Sequence, residues 1–154
     1  MTEARSNDGS RRDALEIFVG EWVAQVVLPD APPGRAVFEW ALRGTVLIQR
    51  SDSPLPEFPD GFMIIAYDDE ADRFTQHYFD SRGVVRIYQM TLSDGLWTLL
   101  RTEADFTPLE FAQRYQGRFS PDGNTIEGRW ETSEDGGEHW QTDFPLTYTR
   151  IIAP

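Results

Sequence analysis

Arg86 and Tyr88 stand two residues apart in Val84 to Leu92, a stretch that alternates apolar with polar residues and therefore reads as a β-strand with both side chains on one face. An arginine turned inward from such a strand needs a carboxylate or a bound anion, because an unpaired buried charge is costly. Arg43 and Arg114 occupy comparable mid-strand positions. Two arrangements follow from the residue types. Either at least one of the three arginines anchors an anionic ligand in an interior, or all three point outward and pair with surface acids such as Glu39.

His77 is the next residue with chemistry to offer. Along Arg73 to Asp80, the residues Arg73, Thr75, His77 and Phe79 share one face, and Phe74, Gln76, Tyr78 and Asp80 share the other. Acid–base work needs groups within hydrogen-bond reach, and the candidates are His77, Asp80, Glu39 and Tyr88. His77 and Asp80 fall on opposite faces, so a partner for His77 would have to come from a neighbouring strand. No Gly-x-Ser-x-Gly elbow, phosphate-cradling loop, dinucleotide fingerprint or His-Glu-x-x-His helix occurs, and no catalytic set is assigned. The only other histidine, His139, follows the turn Glu134-Asp135-Gly136-Gly137-Glu138 and belongs at a strand start near a rim. Two separated histidines do not make a metal site, and the acidic turn Asp68-Asp69-Glu70-Ala71-Asp72 lacks the spacing of a calcium loop, so no metal is expected.

The aromatic residues are spread over many stretches. Most belong in a core, and Trp40 and Trp97 are the two to look for beside a cavity.

Short alternating stretches joined by Asp/Gly turns must position all of these groups. They are Trp22 to Leu28, Val37 to Arg50, Phe62 to Tyr67, Arg73 to Asp80, Val84 to Leu92, Leu96 to Arg101, Glu110 to Phe119, Thr125 to Thr132 and His139 to Ile151. In Val37 to Arg50 the even positions Phe38, Trp40, Leu42, Val46 and Ile48 form one face, with Glu39, Arg43, Thr45 and Gln49 on the other. Gly44 leaves open one bent strand or two. The pattern specifies an all-β protein, a single antiparallel up-and-down barrel of about nine or ten strands. Ahead of it, Asp13 caps a helical turn whose Leu15 and Phe18 plug one barrel end, and residues 1–12 form a loose tail before a barrel domain over 13–154. The proline-rich stretch from Ser53 to Gly61 suits a rim or lid, and Thr102 to Leu109 crosses the mouth.

With 154 residues the chain suffices for one core. Its net charge of −12 and scattered basic residues argue against nucleic acid. There is no cysteine, no N-terminal apolar run and no membrane span in the sequence, from which a cytoplasmic protein is expected. Homodimerisation through a barrel face is compatible with the sequence.

Gly20-Glu21-Trp22 after a short helical turn, with Arg150 near the chain end, resembles the signature of calycins, the superfamily of lipocalins, fatty-acid-binding proteins and haem-binding nitrobindins. His77 to Gly83, Asp94-Gly95-Leu96-Trp97 and Asp122 to Trp130 resemble a group of bacterial calycin-like barrels, a likeness running from Phe18 to Arg150. The resemblance implies that Trp22 packs at the closed end with Arg150 lying across it. It also implies a small hydrophobic or amphipathic ligand in the barrel, with Arg86 and Tyr88 matching in residue type the groups that hold an anionic headgroup in fatty-acid-binding proteins. From the nitrobindins it implies haem held by a histidine, for which His77 and His139 are the donors on offer. An enzyme acting on a small hydrophobic substrate is the further alternative.

Overall fold

The computed structural model describes residues 11–26 and 31–152. Apart from Arg11 and Arg12, the expected tail lies outside the described residues, as do the last residues of the first expected strand and the start of the loop after it. A short 3-10 helix, Ala14–Phe18, precedes ten strands: β1 (Gly20–Val26), β2 (Gly34–Ala41), β3 (Val46–Asp52), β4 (Gly61–Asp68), β5 (Arg73–Asp80), β6 (Val85–Ser93), β7 (Leu96–Arg101), β8 (Ala112–Phe119), β9 (Thr125–Ser133) and β10 (Gln141–Arg150). Each pairs antiparallel with its chain neighbours, and β1 pairs with β10, Trp22 opposite Arg150, to close the ring. No helix among the described residues is long and apolar enough to cross a membrane.

One end is shut. Leu15 and Phe18 of the 3-10 helix are fully buried, and the Phe18 ring packs on Phe38 at 5.2 Å, Trp97 at 4.9 Å and Phe119 at 5.2 Å. The Trp22 indole N–H donates to the Phe18 carbonyl at 2.9 Å, and the Arg150 guanidinium lies 4.1 Å from the Trp22 ring centroid. Arg150 also donates to the carbonyls of Val19 and Ile17, both at 2.6 Å, to Gly123 O at 3.2 Å and to Asn124 Oδ1 at 3.1 Å. Gly20 is required beside it: its φ is +133°, and a Cβ there would stand 2.9 Å from an Arg150 nitrogen. Asp13 makes no side-chain cap. It has helical dihedrals of its own, φ −60° and ψ −29°, so its carboxylate is not turned toward the free amides of the first turn.

Between β2 and β3 the chain reverses tightly, with Leu42, Arg43 and Gly44 all at positive φ. There are therefore two strands rather than one bent strand, and the reversal changes the parity. Phe38 and Trp40 face inward on β2, but on β3 the inward residues are Leu47, Gln49 and Ser51, and Leu42 is left 74% exposed. The expected even-numbered face ends at Trp40.

The stretch Thr102 to Leu109, expected to cross the mouth, lines no part of the cavity and packs beside β6 instead. Strand β7 stops short beside β6, and Asp105 supplies the missing acceptor, taking the Ile87 amide at 2.7 Å, while the Thr107 hydroxyl donates to Val85 O at 2.8 Å. Asp105 is held in turn by Arg101 through two bonds of 3.0 Å.

Gly117 and Gly128 sit opposite each other on β8 and β9, and the Tyr115 ring lies over both. A Cβ on Gly128 would fall 2.4 Å from the Tyr115 hydroxyl oxygen and 2.6 Å from the Gln116 carbonyl. Gly128→Ala is expected to cost about 3 kcal/mol in chemical unfolding, because the backbone contact cannot yield as a side chain does. A loss under about 1 kcal/mol would mean that the Tyr115 ring has room to move.

Candidate functional site

The end opposite the 3-10 helix opens into a cavity of about 510 Å³. The loop residues Pro32, Ser53, Phe58, Arg82 and Phe111 form its rim, so the proline-rich stretch after β3 is a rim segment. Trp97, Leu99, Tyr115 and Tyr148 lie deep in it, and Trp97 separates it from the Phe18 plug. Inner-face residues of β3, β5, β6 and β8 place Gln49, Gln76, Tyr78, Arg86, Tyr88 and Gln113 on its walls.

Two arginines reach this space with different company. Arg82 is neutralised by Asp80, whose buried carboxylate also accepts the Tyr78 hydroxyl at 2.8 Å. Arg86 takes part in none of the ion pairs among the described residues. Its Nη1 donates to Gln113 Oε1 at 3.2 Å, the same oxygen that accepts the Tyr88 hydroxyl at 3.1 Å, and its buried Nε has no partner. Burial pushes the Tyr88 hydroxyl above its ordinary range, partly offset by hydrogen bonding to Arg86 and by its charge. Burial likewise takes the Tyr148 hydroxyl up to about 12, against a side-chain hydrogen bond with Gln49.

Of the residues singled out from sequence, Arg86, Tyr88 and Trp97 meet at the cavity, and four do not. His77 faces away from the lumen because strand alternation turns its neighbours Gln76 and Tyr78 inward; its Nε2 lies 3.4 Å from Thr75 Oγ1. Trp40 faces inward but at the shut end, where its indole N–H donates to Glu16 at 2.6 Å. Arg43 is in the exposed β2–β3 turn rather than mid-strand. Arg114 projects outward, bonded to Glu131 at 2.9 Å and stacked over Trp140 at 4.3 Å. Glu39 pairs with Arg50, and of the three arginines it is Arg114 that takes the outward, acid-paired arrangement, with Glu131 as its partner.

No histidine lines the cavity. The side chain of His139 is 86% exposed on the β9–β10 loop, with Nδ1 2.5 Å from Asp135. These residues do not fit a histidine-ligated haem inside the barrel. Asp135, Glu138 and His139 bring ligand atoms within 4.8 Å of one another, but all three are exposed, and Asp135 is already occupied by Ser133 Oγ and the His139 amide.

No family model matches the chain, and no curated protein matches it. Among solved structures, the crystal structure of Rv2717c from M. tuberculosis superposes with a TM-score of 0.55 at 14% identity, covering 91% of this chain and 96% of that one. At that identity the likeness shows the fold alone, a ten-strand antiparallel barrel with a short N-terminal helix.

Sequence reasoning missed Gln49 and gave no role to Gln76 or Gln113. Gln49 was lost through the parity change at the β2–β3 turn, whereas Gln76 and Gln113 carried a readable signal: an amide flanked by aromatic residues in an inward row, Gln76 between Phe74 and Tyr78 and Gln113 two residues before Tyr115. Asp80 has a measurable consequence of its own. Burial alone would raise its carboxyl, yet bonds from the Arg82 side chain, the Tyr78 hydroxyl and the Arg82 amide together outweigh it and hold the group at about 2. An unfolded aspartate titrates near 3.9, so this carboxylate stabilises the fold fully above that pH, and its contribution is lost as pH falls through about 2. The contribution is about 2 kcal/mol. Asp80→Asn should flatten the fall in unfolding free energy between pH 5 and 2 by that amount, and an unchanged slope would place the stabilisation elsewhere.

Proposed function

We propose that the barrel binds a small amphipathic molecule and holds its anionic end against Arg86. The observation that carries this reading is the contrast between the two arginines at the cavity: Arg82 has its carboxylate, while Arg86 is fixed by the neutral Gln113 and keeps an unpartnered Nε. A guanidinium placed in this way is ready to bond a carboxylate or similar anion. The volume lies within the range of small-molecule sites, and the lining combines aromatic surface with a few polar groups, as such sites do.

Isothermal calorimetry with 2-naphthoate and its neutral counterpart 2-naphthamide tests the reading. The acid is expected to bind the wild-type protein, to lose roughly tenfold or more in Arg86→Met, and to weaken with added salt. The amide should change by less than threefold. Equal binding of both compounds by both proteins would remove Arg86 as the anchor.

A further inference from the structure

We infer that the ligand is a flat, ring-bearing acid with hydrogen-bonding groups along its length, including at least one donor and one acceptor, rather than an acid with a plain alkyl tail. This rests on the proposed anchoring of an anionic end at Arg86. Among the described residues, four buried side-chain polar atoms lack a hydrogen-bond partner: Arg86 Nε, Gln49 Oε1, Gln76 Oε1 and Trp97 Nε1. All four side chains line the same cavity. An anion answers the first, and the other three remain.

Two of the three, Gln76 and Trp97, lie further in. Tyr78 opposite Arg86 forms one inward rung of the β5–β6 ladder, and Gln76 opposite Tyr88 forms the next one toward the shut end. Gln49 projects from β3 opposite Met63 of β4, which pairs with Tyr78, so Gln49 shares the rung of Arg86. Trp97 lies deepest, its ring 4.9 Å from the Phe18 plug. The inward path therefore presents a cation and one amide oxygen, then a second amide oxygen, then an indole N–H that donates.

In the free protein each of these atoms is closed to solvent and carries the cost of an unmade hydrogen bond. A ligand group that completes one of those bonds gains roughly tenfold in affinity. An alkyl tail completes none of them. A hydroxyl or N–H on the ligand answers Gln49 or Gln76, and a ring nitrogen or carbonyl answers Trp97. The walls favour flat rings independently: Trp130 stands 5.5 Å from Tyr88 and 5.4 Å from Tyr115, offering aromatic faces and edges to a planar guest.

Calorimetry with decanoate, 2-naphthoate and a panel of monohydroxylated 2-naphthoates decides the matter. At least one hydroxynaphthoate should bind tenfold or more tighter than 2-naphthoate, and decanoate should bind more weakly than either. In Gln76→Met or Gln49→Met that hydroxyl gain should fall below threefold while 2-naphthoate binding persists, which also reports an intact cavity. If no hydroxyl position improves binding, if decanoate matches the best naphthoate, or if neither variant reduces the gain, the inference is wrong although an acid still binds through Arg86. If no acid binds and Arg86→Met changes nothing, the anchoring reading fails as well.

Discussion

Asp105→Ala is expected to lower the unfolding free energy by about 3–5 kcal/mol, the cost of breaking a buried ion pair from one side. Arg101 and Asp105 are 3% and 8% exposed, and their two parallel bonds form a planar fork. The same carboxylate accepts the amides of Ile87 and Thr107, so its removal strands a buried cation and two backbone donors together. Burial favours the neutral acid, but the Arg101 bond and these two amides overcome it and hold the carboxyl well below the usual range. Urea unfolding checks the magnitude. The double variant Arg101→Met with Asp105→Ala should recover part of the loss, since it leaves no unpaired charge behind. A single variant within 1 kcal/mol of wild type would show that the β6–β7 gap is sealed by other contacts.

Arg150→Met should cost about 3 kcal/mol, and Arg150→Lys should recover little of it. Five of the contacts at the shut end converge on this one guanidinium: the carbonyls of Ile17, Val19 and Gly123, the Asn124 side chain and the Trp22 ring. An ammonium is a point charge and cannot span acceptors spread around a plane. For a chain of this length a 3 kcal/mol loss corresponds to a fall in Tm of roughly 6–12 °C. Binding of 2-naphthoate at temperatures where the variant is folded should be unchanged, because Arg150 lies at the end away from the cavity. A lysine variant as stable as wild type would mean that charge alone, rather than the fork, secures this end.

The barrel was legible because its strands are short, alternate with period two and are separated by Asp/Gly turns that permit only antiparallel neighbours. In Arg73 to Asp80 alternation alone separates Gln76 and Tyr78 from His77. The same rule failed after Trp40. Whether a turn adds an odd or even number of residues decides which face follows, and the positive φ of Leu42 and Arg43 could not be read from residue types that seldom adopt it. That one shift hid Gln49 and misplaced Arg43. For Arg114 the sequence left both directions open, because its outward position depends on Glu131 and Trp140, partners brought near by pairing between strands rather than by proximity in the chain.

The pairing of Trp22 with Arg150 also governs the order in which the molecule can be assembled. Strands β1 to β9 can zip up one after another as they leave the ribosome, but β1 keeps an open edge until β10 has followed. The last contacts to form therefore span nearly the whole described chain, with Arg150 reaching the Val19 carbonyl, and such long-range closure is slow compared with hairpin formation. A nascent chain halted before Gln141 would present two unpaired sheet edges and an incomplete aromatic core. That interval is when this protein is most open to aggregation or to capture by a chaperone.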